Sequence, residues 1–264
     1  MNKIILALLL LLVFVRISSS QDDSNDNTII GERPGFTNPP QVVPLKSIQF
    51  ESGVNYEYDK VKESGIKTDN YLYPTTLVRY GLMKNLELRL QVDIAGQTTT
   101  LPDGSKTSLS GLNPIIIGTK IYICKQNKIR PESAFVFSLT LPYIGKQEFS
   151  PQYPAPGVAL YFMNTLNSVS NIGYNLGMQW SGNDANPTSY ISICPAYNIT
   201  SKLGTFVEIY SFFTKGQIPD IRSSLGFNYI PVPNLQFDIY GGPGIAGTVT
   251  NYFISAGISL RLPK

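Results

Sequence analysis

From about Ser47 to Leu262 the chain alternates apolar and polar side chains in runs of roughly ten residues. The run from Leu86 is the clearest. Leu86, Leu88, Leu90, Val92 and Ile94 fall on one side, and Glu87, Arg89, Gln91 and Asp93 on the other. A period of two is that of a β-strand with one apolar and one wet face. Twelve runs of this kind are predicted, at about 47–58, 71–82, 86–94, 112–123, 132–142, 157–165, 170–180, 188–199, 204–214, 222–230, 235–242 and 251–262. Short turns follow every second run, and longer polar loops such as 59–70, 96–110 and 143–156 follow most of the others.

That long–short alternation is expected of a single all-β, up-and-down antiparallel barrel crossing an outer membrane with its strands. A closed barrel satisfies every backbone polar group in lipid, and an even strand count leaves both ends on the periplasmic side. Tyr58, Tyr71, Tyr73, Tyr143 and Tyr197 fall near strand ends, where amphipathic rings favour the headgroup level. Two features fit less well. Pro195 interrupts the eighth run, which predicts a bulge because proline cannot donate to a ladder. The chain ends Leu262-Pro263-Lys264 rather than on an aromatic residue.

The other segments set the compartment. Lys3 precedes an apolar stretch from Ile4 to Val15, and Ser18 and Ser20 stand before Gln21, so residues 1–20 are predicted to be a cleaved signal peptide. Residues 21–45, rich in Asp and then in Pro, read as a disordered linker that lies in the periplasm or plugs the barrel mouth. The barrel domain is then 46–264. Loss of Lys3 and Arg16 with the leader takes the formal charge from +3 to about +1, which argues against a nucleic-acid surface. The predicted location is the bacterial outer membrane. Its lipids, its assembly machinery and an unidentified small solute are the expected partners.

Composition narrows the chemistry. The chain has no histidine, which excludes Ser-His-Asp and Cys-His catalysis and removes the commonest transition-metal ligand. Neither an enzymatic activity, a cofactor nor a metal site is expected. Cys124 and Cys194 are read as unpaired. Gly242-Pro243-Gly244-Ile245-Ala246-Gly247 has the spacing of a dinucleotide fingerprint, but no helix or acidic partner follows, so it is read as a loop. The charges predicted to face inward are Glu51, Glu57, Arg79, Glu87, Arg89, Asp93, Lys120, Glu208 and Asp238. An ion on the lipid side would cost roughly 2–4 kcal/mol at the midplane. These groups either pair with one another to fill a narrow lumen or line a solute path.

The segment Tyr80-Gly81-Leu82-Met83-Lys84-Asn85-Leu86-Glu87-Leu88-Arg89 resembles the phenol-degradation meta-pathway transporter family of outer-membrane barrels. Gly111-Leu112-Asn113 leading through Gly118-Thr119-Lys120 to Tyr122, Leu139-Thr140-Leu141-Pro142, Glu208, and Pro233-Asn234-Leu235-Gln236-Phe237-Asp238 extend the likeness over most of 45–262. Bacteroidetes-like members described simply as transporters are the nearest in pattern. The resemblance implies a channel for small, aromatic or hydrophobic compounds. A structural or surface-interaction barrel without transport is the alternative.

Overall fold

The alternating runs close into one cylinder. A computed structural model describes residues 28–263; the leader expected over 1–20 lies outside them. The strands are β1 (Ile48–Val61), β2 (Lys67–Met83), β3 (Leu86–Thr100), β4 (Lys106–Leu112), β5 (Ile116–Cys124), β6 (Glu132–Thr140), β7 (Ala155–Thr165), β8 (Ser170–Gln179), β9 (Thr188–Asn198), β10 (Leu203–Thr214), β11 (Asp220–Val232), β12 (Leu235–Ala246) and β13 (Val249–Leu262). All pairings among them are antiparallel, and β1 pairs with both β2 and β13. β4 and β5 both pair with β3, over Ile94–Thr100 and Leu86–Gln91 respectively. They are two pieces of one stave, broken at Asn113-Pro114-Ile115, where Pro114 has no N–H to give a ladder. The thirteen strands therefore make a closed barrel of twelve staves.

Period two sorts the side chains as the sequence suggested. Arg79, Glu87 and Lys120 are fully buried, while Leu88, Leu90 and Phe50 on the opposite faces are 45%, 39% and 37% exposed. A water-soluble sandwich would bury the second set and expose the first; a barrel in lipid does the reverse. The tyrosines of one outer rim lie on this lipid-side face, with Tyr58 stacked on Tyr252 at 5.1 Å and Tyr56 against Tyr71 at 5.1 Å.

Four local expectations need correction. Most of 59–70 and 96–110 is strand rather than loop, with tips only at 62–66 and 101–105. Above the bilayer both faces of a strand are wet, so Thr, Ser and Asn fill both and the period-two contrast disappears. Gly242–Ala246 is the upper part of β12, not a loop. Pro195 sits in register opposite Ile172 with no bulge; the strand tolerates it as one missing donor. Finally, residues 28–45 are not a disordered linker. They are irregular because of their prolines, but they run inside the barrel, with Ile29, Val42 and Val43 at most 5% exposed. The plug alternative describes them.

Candidate functional site

The lumen is occupied by the chain's own N-terminal segment, and the inward charges are what hold it. The segment enters at the short-turn end, where the Ile29 N–H donates to the Pro233 carbonyl. It reaches its far point at Phe36 and returns to the same end, where Leu45 bridges to Gly81. Because it is irregular, its backbone N–H and C=O groups have no ladder and need partners from the wall.

Wall carboxylates supply three of these latches. Glu51 Oε2 accepts from the N–H groups of Glu32 (2.7 Å) and Arg33 (3.0 Å). Glu208 accepts from Phe36 (2.8 Å) and Thr37 (2.9 Å), and also from the Ser224 hydroxyl. Glu87 accepts from Val43 (2.8 Å). Cations hold the carbonyls: Arg79 donates to Ile30 and Gln41, and Lys120 to Pro39 and Gln41. Charge-assisted bonds of this kind are shorter and stronger than neutral ones.

Side-chain charges complete a balanced network. Arg79 meets Glu87 with two parallel bonds (2.9 and 2.8 Å) and Glu51 with a third (2.9 Å). Glu32 of the inner segment bonds Arg89 and Lys120. Three carboxylates thus face three cations. Burial alone would raise the Glu32 carboxyl, but Arg89, Lys120 and Arg79 together hold it well below its usual range. Further round the wall, Arg33 bonds Asp238 (3.0 Å) and Ser255 (3.0 Å) beneath the Tyr240 ring. Its guanidinium rests on two facing glycines. A Cβ on Gly53 or Gly257 would lie 2.7 Å or less from Arg33 side-chain atoms, so only glycine leaves room.

Of the nine charges singled out in the sequence, seven touch the segment: Glu51, Arg79, Glu87, Arg89, Lys120, Glu208 and Asp238. Two do not. Glu57 pairs with Arg222 nearer the loop end (2.6 Å), and Asp93 accepts from the Thr76 N–H and Gln91. Sequence reasoning missed Glu32, Arg33, Phe36 and Arg222. An adjacent Glu-Arg pair inside an otherwise uncharged Pro-rich stretch was the one signal for the first two.

The opposite flank is mostly uncharged, with Glu208 and Glu132, which accepts from the Gln41 side chain, as its carboxylates. Phe36 stacks on Tyr210 (4.6 Å between ring centres) with Tyr190 and Phe212 edge-on at 5.2 and 5.3 Å. Thr37 donates to Ser192, and Asn38 to Tyr161. Two cavities lie along this flank. One of about 60 Å³ lies toward the loop end, bounded by Val136, Ala159, Tyr161 and Tyr190. One of about 210 Å³ lies toward the short-turn end, bounded by Ile29, Met163, Gly173, Cys194 and Phe206. Both are below the roughly 300 Å³ at which small-molecule sites begin. Cys124 and Cys194 are both free thiols.

The same architecture recurs in solved outer-membrane proteins. The COG4313 outer membrane channel from Pseudomonas putida F1 aligns with a TM-score of 0.69 at 10% identity, covering 87% of this chain and 99% of that one. The translocator domain of the autotransporter NalP from Neisseria meningitidis gives 0.54 at 10% identity, covering 82% and 89%. The NanC porin gives 0.52 at 10% identity, covering 80% and 100%. At such identities the likeness shows the fold. These proteins are channels, porins and translocators, not enzymes. No curated protein matches in sequence. The model of the family described as "Putative MetA-pathway of phenol degradation" matches residues 31–262, starting within the inner segment, and the chain belongs to this family of outer-membrane barrels.

Proposed function

We propose that the barrel is a passive channel that admits small solutes with aromatic or apolar surface at the loop end and releases them toward the periplasm along the mostly uncharged flank of the inner segment. The observation that carries this is the aromatic box of Phe36, Tyr190, Tyr210 and Phe212 on that flank, whose Tyr190 lines the smaller cavity. Aromatic rings stack on such surfaces at about 0.5–1.5 kcal/mol per pair beyond area burial. A weak, sequential set of contacts of that size favours entry without trapping. The charged flank offers no comparable route, because opening it separates buried ion pairs. In this reading the segment shifts rather than leaves, pivoting on its ionic side. The side-chain bonds of Thr37 to Ser192 and of Asn38 to Tyr161 break first, while Glu208 keeps its hold on the Phe36 and Thr37 N–H groups.

Liposome swelling with a series from small sugars to aromatic alcohols tests this. Faster entry of the aromatic members, lost in Phe36→Ala or altered in its solute order, is the expected result. No swelling with any solute, in the parent and in a variant lacking residues 28–45, would leave a sealed barrel with a structural or surface role.

A further inference from the structure

The outer rim above β1–β4 carries a row of lysines that make no ion pair among the described residues, the outward carboxylate of Asp69 lying one pleat below them. Lys60 on β1 stands directly opposite Lys67 on β2, Lys67 opposite Thr100 on β3, and Thr100 opposite Lys106 on β4. Residues directly opposite share a face, so all three lysines point outward at one level, and all three are exposed. Opposed Cβ atoms lie about 4.5–5.5 Å apart, and like charges in that position are destabilising. No ion pair relieves them among the described residues. Asp69 faces outward one pleat nearer the membrane, but it accepts the Tyr56 hydroxyl at 2.7 Å. Glu63 and Asp103 lie past the row, on the hairpin tips.

The height of the row defines its environment. The outward column of β1 runs Phe50, Ser52, Val54, Tyr56, Tyr58, Lys60, with the Ser52 hydroxyl bonded to Thr76. Between Ile48 and Tyr58 a tilted strand rises about 25 Å, the height of the apolar band of an outer-membrane barrel. Tyr58, stacked on Tyr252, therefore marks the upper edge of the hydrocarbon. The lysines stand one pleat repeat above it. That is the level of outer-leaflet headgroups, on the lipid side of the wall.

We infer that Lys60, Lys67 and Lys106 form a docking surface for the phosphorylated headgroup of an outer-leaflet glycolipid, whose acyl chains pack down the tyrosine face below. A headgroup phosphate lying across Lys60 and Lys67 supplies the countercharge the register lacks. The lipid is held by both ends of its amphipathic structure, which a free anion is not.

The test uses the purified full-length barrel in detergent micelles doped with bis-phosphorylated lipid A, with retained lipid counted by native mass spectrometry. The parent is expected to retain the phosphorylated lipid in preference to its dephosphorylated form. Combined K60Q, K67Q and K106Q is expected to weaken retention by about a hundredfold, and K67Q alone by about fivefold. K84Q, in the turn at the opposite end, serves as control and retains the lipid as the parent does. Heat-modifiable gel mobility checks that each variant is folded. Equal retention by the triple variant and the parent overturns the inference, as does equal retention of dephosphorylated lipid. Displacement by inorganic phosphate at matched concentration also overturns it, since the surface would then be an anion site.

Discussion

The two flanks of the inner segment are built from opposite chemistry. On the β1–β3, β5 and β12 side, six wall charges grip backbone and side chains through ionic bonds. On the β6–β10 side, the same segment meets mainly small residues, hydroxyls, amides and rings, with two carboxylates among them: Glu208 of β10 on the Phe36 and Thr37 N–H groups and Glu132 of β6 on the Gln41 side chain. A buried charge whose partner is removed is far more costly than a neutral hydrogen bond lost, by about 3–5 against about 1 kcal/mol. The segment is therefore held by a dense ionic network along one edge and by sparser contacts along the other, with Glu208 as the main charged latch there. A hinge and a yielding face arise within twenty residues that contain no regular secondary structure.

Breaking the ionic edge should have the largest effect. Arg79→Met leaves Glu51 and Glu87 buried without their shared partner and is expected to cost about 3–5 kcal/mol, read as a lower urea midpoint. Single-channel conductance should rise in the same variant as the segment loosens. An unchanged midpoint would mean that the ionic flank is not the fixed edge. Glu208→Gln removes one charge-assisted latch while keeping the shape, with an expected loss of about 2 kcal/mol. Thr37→Val, on the sparser edge, should lose about 1 kcal/mol and raise solute entry more per unit of lost stability than either charge variant. If Thr37→Val and Arg79→Met fall on one line in a plot of entry against stability, the two edges are equivalent.

Acid sharpens the contrast with the smallest expected effect. The Glu32 carboxyl is held below its usual value of 4.5, so it favours the folded network. That contribution is complete above about 4.5 and is lost as pH falls through the lowered value. Protection of the segment from added protease should thus be constant from neutrality down to the ordinary carboxylate range and fail only in stronger acid. Loss of protection near pH 5 would show that another group controls its seating.

Strand number and strand order were legible in the sequence, because period two is imposed by the pleat and by lipid on one side. The tops of β1–β4 were not. Once both faces of a strand meet water, Thr98 and Thr99 satisfy their surroundings equally well, and alternation carries no signal. The inner segment was hidden for a different reason. Its structure is not local: Phe36 answers to Glu208, and Arg33 to Asp238, more than 170 residues away in each case. A Pro-rich stretch that folds only against a distant wall has the same composition as one that does not fold. Period two could place Arg79 and Glu51 in the lumen, but it could not reveal that they were waiting for backbone amides rather than for solute.

The seat of Arg33 has a bearing on how the cylinder is completed. Gly53 and Gly257 face one another across β1 and β13, the join between the beginning and the end of the sheet. Of all the ladders, this one spans the greatest length of chain and carries the heaviest loop-closure entropy. Arg33 lies over that join and bonds to β12 and β13 from a position fifteen residues ahead of β1. The chain thus carries its own clasp. A disturbance there would be felt at the one seam where the hoop can spring open, whereas the same disturbance beneath any hairpin would be contained by a short turn.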